Sequence, residues 1–135
     1  MASISKEIVI GANADEVWKV IGDFEGGPVR MAPGYVVDTH LDGDHRIVTF
    51  ADGVVARERL VSVDPDARRI VYAVVGGTLS PAHDNASMQV IADGEHSCRL
   101  VWTHDVLPDD LATPIGAAMI HGMEVIEQTL APAAA

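Results

Sequence analysis

A chain of 135 residues, 48% hydrophobic and 21% charged, is sized for one domain over residues 1–135, with enough apolar material for one core. A formal charge of −11, from 20 acidic against 9 basic residues, argues against nucleic acid and anionic membranes as partners, since both need Lys and Arg to neutralise phosphate. No apolar run approaches the roughly 18 residues of a membrane helix. The start MASISKEIVIGANADEVW lacks the basic and long apolar parts of a signal peptide, and the expected location is the cytoplasm. The single cysteine, Cys98, leaves no internal disulfide framework and reads as a small buried hydrophobe.

In chain order, residues 3–10 alternate and predict a strand with Ile4, Ile8 and Ile10 on one face. Asn13 then caps a helix whose first turn carries Asp15 and Glu16, favourable to the helix dipole, and whose apolar side is Val17, Val20 and Ile21. Residues 22–34 are rich in Gly and Pro and leave room only for a short second helix. A run of strands follows. It comprises 35–41, a turn at Gly43, 46–50, a hairpin signal at Asp52-Gly53, 55–63 and the turn Asp64-Pro65-Asp66. Then come 69–75 ending at Gly76-Gly77, 84–91, a turn at Asp93-Gly94, and 97–106, stopped by Pro108. From Asp109 the apolar period changes to three and four, through Leu111, Ile115, Ala118 or Met119, Gly122, Ile126 and Leu130. That predicts a long last helix, with 131–135 as a frayed tail.

The order is α+β: strand, one or two short helices, six strands, long helix. Seven sequential strands with short connections make a strongly curved antiparallel sheet. A single last helix cannot fill its concave side, so a cavity between helix and sheet is expected.

Alternation then sorts side chains by face. In the last strand the apolar and aromatic set is Cys98, Leu100, Trp102 and His104, and the other set is Arg99, Val101, Thr103 and Asp105. The first set faces the helix. His104 and Asp105, adjacent in sequence, point apart and cannot form a dyad with each other. In 84–91, Ala86, Met88 and Val90 point inward, with Asp84 on the same side at the strand's start. In 69–75 both faces are apolar, and alternation alone does not choose between them.

The segments ANADEVWKVIGDF, MAPG, ARERLVSVDPDARRIVYAVVGG and VWTHDVLPDD, in this order, resemble the helix-grip (SRPBCC) superfamily. That group includes birch-pollen-allergen-like proteins, START domains, plant abscisic-acid receptors and bacterial polyketide cyclase/dehydrases, and the bacterial branch is the one this chain is most similar to. The resemblance covers essentially the whole chain. It implies a seven-stranded curved antiparallel sheet wrapped around a long C-terminal helix, with one or two short helices after the first strand. It implies that Tyr72 and Val74 face the ligand, that Ala56, Glu58 and Leu60 point inward, and that Arg57 and Arg59 point out. Residues 51–53 and 76–81 match the receptors' two mobile loops by position. They lack the receptors' Ser-Gly-Leu-Pro-Ala and Gly-Gly-Glu-His-Arg-Leu sequences, which argues against a hormone receptor.

The scaffold hosts transport, sensing, cyclisation and dehydration, so three functions are weighed. The first is binding of a small lipophilic or aromatic molecule in the cavity. Its expected walls are Ala56, Tyr72, Val74 and Asp84, with Ala86, Met88, Leu100 and Trp102 on the next strands and Met119 and Met123 on the last helix. The second is a cofactor-free cyclase or dehydratase using Glu58 and His104 as acid and base, with Asp84 or Tyr72 assisting. A carboxylate in an apolar cavity is expensive unless paired or protonated, which suits proton transfer; a water, a backbone amide or an inward arginine would also satisfy it. Histidine, with an ordinary pKa of about 6.5, is a natural shuttle. Asp84 is placed to face Glu58 or His104. The third is a homodimeric or partner-binding module using exposed apolar sheet residues such as Val101. No metal or cofactor is expected: the six histidines show no HxH or HExxH spacing, and there is no cysteine cluster and no phosphate-cradling glycine loop.

Overall fold

A computed structural model of the chain describes residues 1–131; the expected frayed tail, apart from Ala131, lies outside the described residues. Strand β1 (Ala2–Ile10) leads into helices α1 (Ala14–Ile21) and α2 (Gly27–Met31). Six strands follow: β2 (Val36–Asp42), β3 (His45–Phe50), β4 (Val55–Asp64), β5 (Arg69–Gly77), β6 (His83–Ala92) and β7 (Cys98–Leu107). A short 3-10 turn, Asp109–Leu111, precedes the long helix α3 (Ala112–Leu130). The sheet runs β1-β7-β6-β5-β4-β3-β2 and is antiparallel throughout. Hairpins join β2 to β7 in sequence, and β1 returns to pair with β7. This is the expected helix-grip architecture.

Local chemistry explains the elements. The Asn13 side chain accepts hydrogen bonds from the amides of Asp15 (2.9 Å) and Glu16 (3.3 Å), satisfying donors that the first turn of α1 leaves free. Between β4 and β5, Asp64 accepts from the amides of Asp66 and Ala67, both at 3.1 Å. Arg68, in the same turn, donates from Nε to Asp15 at 2.8 Å and ties the turn to α1. Helix α3 begins at Ala112 rather than Asp109, because the acidic pair Asp109-Asp110 is spent in the 3-10 turn.

The core sits where α1 and the second half of α3 cover one end of the sheet. Ile10, Ile21, Ile70, Val90, Cys98 and Leu100 are fully buried there. Toward the other end only the first half of α3 faces the sheet, and the fit is looser. Gly122 allows the close approach that remains: a Cβ there would lie 3.1 Å from the Trp102 ring.

One residue assigned to the inward face is not enclosed by it. Leu60 is exposed, as is all of β4 from Arg59 to Asp64. Strand β3 begins at His45, opposite Arg59, so β4 overhangs its neighbour beyond that point, and its register against β5 slips between Leu60 and Ser62. Leu60 stands opposite Tyr72 in the β4–β5 ladder and so keeps its face, but it lies in the overhang and is exposed there.

Candidate functional site

The space left between α3 and strands β3 to β7 is a cavity of about 130 Å³. Its walls are mostly apolar: Tyr35, Phe50, Ala56, Tyr72, Val74 and Trp102 from the sheet side, Ile115, Ala118 and Met119 from α3. A smaller space of about 60 Å³ lies toward α2, between Met31, Val36, Arg46, Val48, Met88 and Ile126. The two share Tyr35, Phe50, Glu58, Tyr72 and Trp102 as walls.

Two buried polar pairs flank this space. In the first, His104 on β7 and Asp84 on β6 meet at 2.6 Å through Nδ1 and Oδ1. His104 stands opposite Ala86 in the ladder, so Asp84, two residues earlier, is its diagonal neighbour on the same face. Both side chains are buried, and both line the cavity. With Nδ1 engaged, Nε2 of His104 has no hydrogen-bond partner among the described residues.

In the second pair, Arg46 on β3 and Glu58 on β4 are direct cross-strand partners. Arg46 donates from Nε to Glu58 Oε1 at 2.7 Å and from Nη1 to the Phe24 carbonyl at 2.9 Å. Its guanidinium lies over the Phe24 ring (4.5 Å) and the Tyr72 ring (4.7 Å). The two burials make one another tolerable: each charge has its counter-charge, and the cation also has two aromatic faces.

Tyr72 stands between the pairs. Its hydroxyl oxygen accepts from Trp102 Nε1 at 3.0 Å, and its ring meets His104 edge-on at 6.1 Å. Burial pushes the Tyr72 hydroxyl far above the ordinary tyrosine value, and the Glu58 charge adds to this. It therefore stays a neutral phenol.

Of the residues expected from sequence, Glu58, His104, Ala56, Tyr72, Val74, Asp84, Trp102 and Met119 stand together on the main cavity. Met88 lines the smaller space. Three do not reach either wall. Ala86 is opposite Tyr72 on one side and His104 on the other, and it is buried within the core cluster. Leu100 and Met123 lie in the packed end of the core. Alternation assigns a face, and it carries no information about which end of that face a helix fills. Asp84 and His104 meet on neighbouring strands of one wall rather than across the cavity. Sequence reasoning did not single out Arg46, although an inward arginine was one of the partners expected to satisfy Glu58. The signal was present: in HRIVTF, Arg46 shares its face with Val48 and Phe50.

The loops of residues 51–54 and 78–82 border the mouth and are joined at their bases. Thr78 donates its amide to the Val55 carbonyl (2.8 Å), and Thr78 Oγ1 accepts from the Val55 amide (3.0 Å). Among the described residues, no helix is long and apolar enough to cross a membrane.

Comparison with known proteins places this geometry. The family described as polyketide cyclase / dehydrase and lipid transport matches residues 1–131. A START superfamily protein from Mycobacterium smegmatis has a similar structure, with a TM-score of 0.71 at 16% identity over 95% of this chain and 98% of that one. Norcoclaurine synthase from Thalictrum flavum, in complex with dopamine and hydroxybenzaldehyde, scores 0.69 at 20% identity over 94% of this chain and 84% of that one. The di-domain ARO/CYC BexL from the BE-7585A biosynthetic pathway scores 0.79 at 17% identity, over 96% of this chain and 46% of the longer one. A search of curated proteins finds no match.

Proposed function

Because the chain belongs to the polyketide cyclase/dehydrase and lipid transport family, we propose that it binds a small hydrophobic molecule in the cavity between the sheet and α3. The observation that carries this reading is the cavity itself: an apolar space of about 130 Å³ into which only a few fixed polar groups project. Such a site draws an apolar molecule out of water and orients it through those groups. Native mass spectrometry of the protein after exposure to an extract of host metabolites tests it. The expected result is a retained adduct of constant mass that Ala56→Trp, which fills the cavity, abolishes. An adduct unaffected by that substitution places binding elsewhere.

The His104–Asp84 contact favours a second reading, a cofactor-free cyclase or dehydratase. With the Nδ1 proton donated to Asp84, the ring is fixed and Nε2 presents a lone pair to the cavity. His104 then takes a proton from the substrate, and the imidazolium, held by Asp84, returns it to a leaving hydroxyl. Glu58, engaged by Arg46, fits better as a fixed charge in this scheme than as the proton carrier. Here Asp84→Asn is expected to cut turnover at least tenfold with binding retained, followed by loss of one water from the bound species. Unchanged turnover rules out the dyad.

A further inference from the structure

Size and charge narrow the occupant further, on the premise that the cavity is a binding site. A cavity of about 150 Å³ with apolar walls takes one benzene ring. The space here is about 130 Å³, and the adjoining one about 60 Å³. Even together they fall below the roughly 300–1,000 Å³ of pockets that take drug-sized molecules. The enclosed space thus matches a single ring, and a fused polycycle or a long acyl chain would have to project through the mouth. Tyr72, Trp102 and Phe50 supply ring faces.

The polar groups select further. Two buried carboxyl groups, Glu58 and Asp84, line the main cavity, while the buried guanidinium of Arg46 is already engaged by Glu58 and the Phe24 carbonyl. No lysine or arginine lines that cavity among the described residues, so an anionic ligand finds no such counter-charge there. Among the hydrogen-bonding positions left open on this wall, beside Glu58 Oε2, Asp84 Oδ2 and the Tyr72 hydroxyl proton, is Nε2 of His104, which is an acceptor when Nδ1–H donates to Asp84. We infer that the site takes a neutral single-ring molecule bearing a hydroxyl, a phenol in chemical class, with the ring between Tyr72, Trp102 and α3 and the hydroxyl donating to His104.

The test uses the full-length wild-type protein and four probes: phenol, benzene, anisole and palmitate. The readouts are dissociation constants and the indole N–H signals of the two tryptophans in an amide nitrogen–proton correlation spectrum. Trp102 lies on the cavity, while Trp18, on α1, serves as an internal control. Phenol is expected to saturate the Trp102 signal and leave Trp18 unmoved. Benzene and anisole, which lack the donor, are expected to bind at least tenfold more weakly, and palmitate not to saturate. Palmitate binding at Trp102 more tightly than phenol overturns the size argument while leaving the cavity a binding site. Phenol and anisole binding alike overturns the assignment of the hydroxyl to His104. No probe moving Trp102 overturns the binding reading itself, and the inference with it.

Discussion

Arg46 and Glu58 show how much one residue pair decides. Each is buried, and each is intelligible only through the other. Arg46→Ala leaves an unpaired carboxylate in an apolar wall and is expected to cost about 3–5 kcal/mol in denaturant unfolding. The double change Arg46→Met with Glu58→Leu removes both charges and is expected to cost far less. Equal losses in the two would mean the pair contributes packing alone. Tyr72 gives a prediction in pH. Its folded-state value lies above the ordinary 10, so its stabilising effect is complete below pH 10 and declines as the pH climbs past it, because only the unfolded chain then loses the proton. Tyr72→Phe removes this alkaline loss, at a cost of about 1–3 kcal/mol near neutrality from the stranded Trp102 N–H. Unfolding followed between pH 9 and 11 checks both. At this scale the sequence was partly legible. Glu58, Asp84, Tyr72, Trp102 and His104 could be assigned to the inner face by alternation or by resemblance. Arg46 escaped because a lone arginine in a strand is usually solvated, and only the ladder reveals that Glu58 is its partner.

At the scale of elements, turns and caps carry the specificity. Gly77 has a φ of +114°, and a Cβ there would lie 2.1 Å from the Val55 carbonyl oxygen. No side chain fits without parting the strands, so Gly77→Ala is expected to destabilise by more than the roughly 1 kcal/mol of an ordinary glycine effect and to loosen both mouth loops. Thermal unfolding together with accelerated proteolysis at residues 51–54 and 78–82 measures this. Asn13→Ala is expected to cost about 1 kcal/mol through the lost cap of α1. Strand order and helix positions were readable because the period changes from two to about three and a half at a clear turn signal. The exposure of Leu60 was not readable because the overhang of β4 depends on where β3 begins, which the β4 sequence does not encode. Ala86 is inward as assigned but is not among the residues lining either space, and alternation carries no signal for that difference.

For the whole molecule, the division between a packed end and an open end sets the balance of stability and function. One end of the sheet is closed by α1 and the second half of α3; the other has only the first half of α3 and the mouth loops. An occupant of the cavity replaces missing packing and binds the folded state alone. At a hundredfold excess over its dissociation constant it is expected to add about 2.7 kcal/mol to unfolding, read as a rise in Tm that Ala56→Trp eliminates. The cavity was foreseeable from one helix facing seven strands, but its volume was not. Volume depends on rotamers and on the sheet's curvature, which a pattern of faces leaves open.

The Arg46 contact to the Phe24 carbonyl has a dynamic consequence. That single bond fastens the segment between α1 and α2 to the inner face of the sheet, through a side chain that also belongs to the ion pair. The α1–α2 segment cannot lift away without breaking the contact that keeps Arg46 positioned on Glu58. Backbone amides of residues 22–26 should therefore exchange with deuterium in step with solvent entry to the Arg46–Glu58 pair, as one opening unit rather than as an independently fraying segment.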